Sequence, residues 1–449
     1  MGRLFGTDGI RGVAGTELSC DLALSVGKAT AVVLKKHSQG APLVILGKDT
    51  RKSSDMLEMA VASGLCAMGA DVIRVGFIPT PAVAFLVKLY KADAGIMISA
   101  SHNSYEYNGI KIFGKAGYKL SDDEETEIED IILEKKEYEA VTFDNIGKCR
   151  LDEEAHHEYA RHLISTLGGF KSDLKVLVDC CNGSACTTAK EVFDGLGCNY
   201  ALINSEPDGT NINNGCGSTH IENICQRVVD GKYDLAVAFD GDADRMLAVD
   251  NKGEIVSGDL IMAVISKHMS ENGTLKNNTA VVTVMSNLGF TKFCEENNIA
   301  MEITDVGDRH VLENMLKNGH CFGGEDSGHM IFLDYMTTGD GQLSAIQLIK
   351  VLSEIDKPLN EAKKVMKKYP QTLVNVKVTN EIKKAYKDNP EIIGIINAET
   401  EVLGNRGRIL VRPSGTEPLV RVMVEADTEE TAENTANRIA DKIKALVKQ

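Results

Sequence analysis

The sequence predicts a multi-domain protein of the α/β class, and three observations carry that expectation. Short β-branched runs alternate with helical segments over most of the chain, as α/β sheets require. The 449 residues exceed one ordinary domain, so that two to four units are expected. With 43% hydrophobic and 25% charged residues, the composition is that of packed globular domains rather than disorder, collagen or coiled coil.

In the first part, Leu43 to Leu46 reads as a buried strand, followed by a helix with Leu57, Val61, Leu65 and Met68 at helical spacing and Ser or Asp as N-cap. Val72 to Val75 and Ala94 to Ser99 are the next strands, with a helix around Pro81 to Leu89 between them. The pattern restarts near residue 155. Strands at Lys175 to Asp179, Ala201 to Ile203 and Leu235 to Phe239 alternate with helices ending near Gly197 and running around Glu222 to Val229. It restarts again near residue 255, with helices from Asp259, around Arg309 to Leu316 and from Gln342, and strands at Ala280 to Val284 and His329 to Leu333. The stretch from Lys357-Pro358 to Tyr369-Pro370 reads as a linker or boundary helix. Strands at Leu373 to Val378, Arg408 to Val411 and Leu419 to Glu425 follow. A helix after Thr428 then closes the chain, with Ala432, Ala436, Ile439, Ile443 and Leu446 on one face, which is the pattern of a small α+β domain. The boundaries expected are 1–154, 155–254, 255–366 and 367–449.

Charge narrows the partners. A net charge of -16, from 49 basic against 65 acidic residues, opposes a broad nucleic-acid or anionic-lipid surface, so neither nucleic acid nor membrane is an expected partner. No run approaches the roughly 18 apolar residues of a membrane helix, and Met1 to Asp8 has no apolar signal core. Eleven cysteines without a C-x-x-C spacing fit reduced thiols in a cytoplasmic protein. Cys180-Cys181 reads as a small core pair at a strand end. His157-Glu158 with His162 has one residue too many for H-E-x-x-H and is expected to be an exposed helix face. Gly47-Lys48-Asp49 is not a P-loop, because no Gly stands five before Gly47 and Asp replaces the required Ser or Thr.

Four loops can carry chemistry, three of them directly after an apolar strand, where open α/β sheets hold ligands. Ser99-Ala100-Ser101-His102-Asn103, with Asn108-Gly109-Ile110-Lys111 beyond it, offers a nucleophile or phosphate carrier, although its residues are also common in turns. In Asp240-Gly241-Asp242-Ala243-Asp244-Arg245, carboxylates at i, i+2 and i+4 of an extended segment point one way and repel unless a cation lies between them. Arg245 and Asn251 stand where an EF-hand needs Gly and Glu, so a hard ion with open positions, Mg²⁺, is expected. Gly323-Gly324-Glu325-Asp326-Ser327-Gly328-His329 suits either sugar hydroxyls or a capped tight turn. Arg412-Pro413-Ser414-Gly415-Thr416-Glu417-Pro418 with Arg421 suits either a phosphate or a surface hairpin.

A serine loop, a metal loop, a hydroxyl-binding loop and a phosphate loop, in that order, resemble the α-D-phosphohexomutases, and the resemblance runs from Phe5-Gly6-Thr7-Asp8-Gly9-Ile10-Arg11-Gly12 to Arg421. The N-terminal string, Thr283 to Gly289 and Val306-Gly307-Asp308-Arg309 are similar to the bacterial subfamily acting on glucosamine phosphates. The group acting on neutral hexose phosphates, the nearest alternative, typically has histidine where Asp308 stands. Ser104 and Asp326 depart from the usual Pro and Gln.

The resemblance implies four domains around a central cleft, the first three of related α/β topology with mixed sheets. It implies that Ser101 carries a phosphate, and that Asp240, Asp242 and Asp244 hold one Mg²⁺ per chain together with that phosphoserine. His102, Lys111 and Arg11 are candidate catalytic residues, for proton handling or oxyanion stabilisation. Arg245, Asp308, Arg309, Glu325, Ser327 and His329 are implied on the substrate, with Arg412, Ser414, Gly415, Thr416 and Arg421 on its non-reacting phosphate. The implied activity interconverts glucosamine 6-phosphate and glucosamine 1-phosphate through a hexosamine 1,6-bisphosphate. A small phosphosugar is then the expected partner; the oligomeric state stays open, a homodimer included.

Overall fold

The computed structural model describes residues 4–6, 8–38, 40–136, 138–139, 141–379, 389–413 and 418–447. The chain divides into two compact units, one of Met1–Met285 with Ile299–Val365 and one of Ser286–Asn298 with Met366–Gln449.

The larger unit holds three sheets. The first contains β1 (Ile10–Val13), β2 (Leu43–Lys48), β3 (Asp71–Phe77), β4 (Ala94–Ile98), β5 (Tyr107–Gly114) and β6 (Cys149–Leu151), in the order β1-β5-β4-β2-β3-β6. β4, β2, β3 and β6 pair in parallel, whereas β5 runs antiparallel to both β4 and β1. β4 is buried at every position, which is why its sequence is continuously apolar instead of alternating. The second sheet contains β7 (Lys175–Asp179), β8 (Asn199–Ile203), β9 (Leu235–Phe239), β10 (Met246–Asp250) and β11 (Ile255–Val256), in the order β11-β10-β9-β7-β8. The third contains β12 (Thr279–Thr283), β13 (Ala300–Thr304), β14 (Phe322–Gly324) and β15 (Met330–Phe332), in the order β13-β12-β14-β15.

The three sheets share a device. In each, a strand that pairs in parallel on one side turns back into an antiparallel neighbour: β4 into β5, β9 into β10 and β14 into β15. Those reversals carry Ser99 to Asn103, Asp240 to Arg245 and Glu325 to His329. The pairing Met97↔Lys111 and Ile98↔Ile110 also sets Lys111 beside the serine loop.

The helices follow their sequence signals with two differences. The helix Ser54–Ala67 begins at Ser53, but Ser53 makes no side-chain capping bond; its hydroxyl instead accepts from Asn108 Nδ2 at 2.9 Å. The helix Ala155–Ser165, expected to expose His157 and His162, half-buries both. His162 stacks on Phe85 with ring centroids 4.3 Å apart and lies 3.0 Å from the Tyr335 carbonyl, while His157 meets Glu191. Neither falls in a cluster of three or more metal-ligating side chains among the described residues. All eleven cysteines are free thiols, with Cys180 and Cys181 buried. No described helix is long and apolar enough to cross a membrane.

The smaller unit is a three-stranded antiparallel sheet of β16 (Gln371–Lys377), β17 (Gly407–Pro413) and β18 (Leu419–Ala426), in the order β16-β18-β17. Ala432, Ala436, Ile439 and Ile443 of the helix Glu429–Val447 are buried against it; Leu446's side chain lies outside the described ones. The helix Leu288–Glu296 belongs to this unit as well. Buried Glu425 accepts from Leu288 N–H at 2.9 Å, Asn287 Nδ2 at 3.2 Å and Arg408 Nε at 3.0 Å.

Candidate active site

Ser101 follows β4 with φ at 52°, a left-handed conformation that costs a non-glycine residue energy unless its surroundings impose it. The surroundings do. Its N–H donates to Ser99 Oγ at 3.0 Å, and Ser99 Oγ donates to Asp49 Oδ2 at 2.6 Å. Ser101 Oγ is buried, donates to Asp240 Oδ2 at 2.7 Å and lies 3.4 Å from His102 Nδ1.

The acidic loop converges by a different route from the one the sequence suggested. It is a tight turn with Ala243 at φ 56°, not an extended segment, yet oxygens of Asp240, Asp242 and Asp244 all fall within 4.8 Å of one another. The turn passes so close to the serine loop that a Cβ on Gly241 would stand 2.6 Å from Ser101 O, so only glycine fits.

All three carboxylates are buried. Asp242 Oδ2 accepts from Lys111 Nζ at 2.7 Å and Thr80 Oγ1 at 2.5 Å. Asp242 Oδ1 and Asp244 Oδ1 are buried without a hydrogen-bond partner. Orphaned buried carboxylate oxygens are costly, and hard oxygen donors of net negative charge are the set a small divalent cation satisfies. The residues present therefore fit a metal ion.

Electrostatics distinguish the groups. Burial, then the charges of Asp244 and Asp242, push the Asp240 carboxyl well up. Burial would raise Asp244 too, but Lys111, His329 and Arg245 hold it below the usual carboxylate range. Burial would depress the Lys111 ammonium, but Asp242, Asp8 and Asp244 raise it above an ordinary lysine, consistent with Nζ at 2.9 Å from Asp8 and 3.7 Å from Asp244. Lys111 is thus a fixed cation. Burial, followed by Arg245 and Arg11, lowers His102 to about 4, so its imidazole is neutral near pH 7.

Beside these loops lies a cavity of about 430 Å³ whose lining includes Arg11, His102, Arg245, Asp308, Glu325 and His329. Glu325 Oε1 accepts from Gly307 N–H at 3.1 Å. Gly328, at φ 92°, lets the loop touch β10, where a Cβ would stand 2.3 Å from Met246 O. Ser327 is exposed. His329 Nε2 accepts from Gly339 N–H at 3.1 Å, and Nδ1 faces Asp244 at 3.7 Å. Asp326, which departs from the family pattern, caps the helix Gly258–Glu271: its carboxylate accepts from Asp259 N–H at 3.0 Å and its carbonyl from Gly258 N–H at 3.1 Å.

Of the expected substrate residues in the larger unit, Ser327 does not line this cavity, and neither does Arg309. Its guanidinium donates to the Leu120 carbonyl at 2.7 Å and Glu125 at 3.2 Å and pairs with Asp122. Its neighbour Asp308 meets Lys119 Nζ at 2.7 Å, and Lys119 reaches Asp8 Oδ1, also at 2.7 Å. Asp8 pairs in turn with Arg11. In the smaller unit, Arg412 and Arg421 are directly opposed across β17 and β18, so they share one face of the sheet. Ser414, Gly415 and Thr416 lie outside the described residues.

Sequence reasoning missed Asp49, Arg51, Thr80, Lys119 and Asn213. A signal existed for the first two, since Lys48-Asp49-Thr50-Arg51 is a charged run immediately beyond an apolar strand, as Asp240 to Arg245 is.

The comparisons with known proteins agree with this geometry. Family models match in four consecutive pieces: phosphoglucomutase/phosphomannomutase alpha/beta/alpha domain I at residues 2–139, domain II at 157–253, domain III at 257–369 and the C-terminal domain at 373–442. The chain belongs to the phosphoglucomutase/phosphomannomutase family, within the α-D-phosphohexomutase superfamily. Among its relatives, phosphoglucosamine mutase of Caldicellulosiruptor saccharolyticus is 51% identical over 449 residues, covering 99% of each chain. Phosphoglucosamine mutase of Clostridioides difficile is 49% identical over 448 residues, covering 99% of this chain and 100% of that one. Two solved structures share the fold. A Burkholderia thailandensis phosphoglucomutase/phosphomannomutase family protein gives a TM-score of 0.82 at 24% identity, covering 99% of this chain and 98% of that one. Aspergillus fumigatus N-acetylphosphoglucosamine mutase in complex with GlcNAc-6P and magnesium gives 0.67 at 18%, covering 100% and 96%.

Proposed function

We propose that the protein is an isomerase that interconverts glucosamine 6-phosphate and glucosamine 1-phosphate by way of phospho-Ser101. The observation that carries the reading is Ser101 Oγ, 2.7 Å from Asp240, beside a carboxylate cluster with orphaned oxygens. Phospho-Ser101 gives its phosphoryl group to O1 of glucosamine 6-phosphate, leaving a serine hydroxyl and a 1,6-bisphosphate. The bisphosphate turns over within the site, its 6-phosphoryl returns to Ser101, and glucosamine 1-phosphate departs. Atoms and charge balance over the two transfers, and no net phosphate is consumed.

Asp240, Asp242 and Asp244 would hold Mg²⁺, the ion present in the Aspergillus fumigatus complex, and when bound it offsets the charge on the transferring phosphoryl group. Lys111 supplies a second, permanent positive charge there. His102, with Nδ1 3.4 Å from Ser101 Oγ, stands where it can relay the proton exchanged as the serine oxygen is phosphorylated and released. Arg11 and Arg245 orient the reacting phosphate, and Asp308, Glu325, Ser327 and His329 the sugar. Arg412 and Arg421, with Ser414, Gly415 and Thr416, hold the phosphate that is not reacting, which must be accepted in both orientations of the sugar.

Turnover of glucosamine 6-phosphate, run beside glucose and mannose phosphates with Mg²⁺ and a trace of hexose 1,6-bisphosphate, tests this. The amino sugar should have the highest kcat/KM. Preference for a neutral hexose phosphate would overturn the substrate assignment, and release of free phosphate would make the protein a phosphatase.

A further inference from the structure

The serine loop is held by two side chains that belong to neither the metal cluster nor the sugar cavity. Arg51, on the segment after β2, is among the largest fully buried side chains. Its Nε pairs with Asp49 Oδ2 at 2.8 Å, with both side chains inaccessible to solvent. One guanidinium NH2 donates to the carbonyls of Ser101 and Asn103, each at 2.8 Å, while NH1 donates to Tyr107 O at 3.2 Å and to Ser104 O. Asn213 Nδ2, from the second sheet's segment, donates to the same two carbonyls, Ser101 and Asn103, each at 2.9 Å. The Asn213 amide is itself oriented by Cys181 Sγ, which donates to its Oδ1 at 2.9 Å. Asp49 also accepts from Ser99 Oγ, which in turn accepts Ser101 N–H.

We infer that Arg51 and Asn213 are positioning residues for phosphoryl transfer: together they clamp the Ser101 and Asn103 carbonyls and fix where the phosphorylated oxygen stands relative to the carboxylate cluster. The inference rests on the reading of Ser101 as phosphoryl carrier. Three physical points support it beyond burial. Ser101 has a positive φ, a conformation that must be imposed from outside. A guanidinium can span several carbonyls with a fixed fork of donors, which an ammonium cannot. The clamp also comes from two different sheets, so it ties the serine loop to the segment facing the metal loop, whose Gly241 touches Ser101 O. Holding reactants to within fractions of an ångström is what such transfers depend on.

Arg51→Lys tests the fork separately from the charge, because lysine keeps a cation beside Asp49. Asn213→Ala, which removes no charge, serves as the second variant should Arg51→Lys fold poorly. Each full-length enzyme is first phosphorylated at Ser101, verified by intact mass, then assayed with saturating bisphosphate activator. The clamp predicts a kcat lowered about 10- to 100-fold with KM within twofold of wild type, together with faster spontaneous loss of the phosphoryl group to water. Wild-type kcat and wild-type phosphoseryl lifetime in folded Asn213→Ala would overturn the inference. So would a fall in activity matched only by a fall in the folded fraction. Failure of the underlying reading looks different: wild-type protein would carry no phosphate at Ser101, and Ser101→Ala would turn over normally.

Discussion

Asp242 faces two demands at once. Its Oδ2 is committed to Lys111 and Thr80, while Oδ1 is buried and unpartnered. Asp242→Asn keeps the shape, removes one charge from the cluster and leaves Lys111 with Asp8 and Asp244 as counter-charges. The expected outcome is unchanged far-UV circular dichroism, a Mg²⁺ requirement raised by about tenfold or more, and a matching loss of turnover. Full activity at low Mg²⁺ would show that the cluster binds no catalytic metal. At this scale the sequence was informative wherever chemistry is concentrated in one short stretch. Asp240, Asp242, Asp244 and Ser101 could be found that way. Asp308, Lys119 and Asp8 could not be joined, because their contacts span separations of 189 and 111 residues, and nothing in local spacing reports which distant charge neutralises which. Arg309 illustrates the converse: next to a cavity residue in sequence, it is turned to Glu125 and Asp122 in space.

Apolar runs made several strands legible, although β10 (Met-Leu-Ala-Val-Asp), equally apolar and directly after the acidic loop, was not read as one. β2, β4, β7 and β9 stand out because central strands buried on both faces are continuous apolar runs. β1 (Ile-Arg-Gly-Val) and β5 (Tyr-Asn-Gly-Ile-Lys-Ile-Phe-Gly) carry polar groups into the site and so lack that signature. Asp340, the N-cap of the helix Gly341–Glu354, carries a prediction of its own. It accepts from Leu343 N–H at 2.9 Å and Tyr159 O–H at 2.8 Å and is fully buried. Burial pushes its carboxyl from 3.8 up to about 7 in spite of those bonds. A group whose folded pKa is raised binds its proton more tightly when folded, so its contribution is complete below about pH 4 and is lost as pH rises towards 7. Asp340→Asn, which keeps a cap but does not ionise, should therefore compare more favourably with wild type at pH 8 than at pH 5, by on the order of 2 kcal/mol in urea unfolding. A difference independent of pH would mean that Asp340 is ionised across the range.

At the scale of the whole molecule, the order of the loops along the chain was more informative than any loop alone. Each was compatible with an ordinary turn; four in sequence were not. One grouping had no local signal: Ser286–Asn298 clusters with the C-terminal sheet, where Glu425, a strand residue with no distinguishing local pattern, gathers Asn287, Leu288 and Arg408. In the proposed mechanism one serine oxygen both gives and receives the phosphoryl group. This is tested most directly by loading Ser101 with a radiolabelled phosphoryl group, adding unlabelled glucosamine 6-phosphate for a single turnover, and separating protein from sugar. Label should leave the protein and appear in the sugar bisphosphate and glucosamine 1-phosphate, with Ser101→Ala taking up none. Label that stays on the protein while glucosamine 1-phosphate forms, or that emerges as inorganic phosphate, would rule out Ser101 as the phosphoryl carrier.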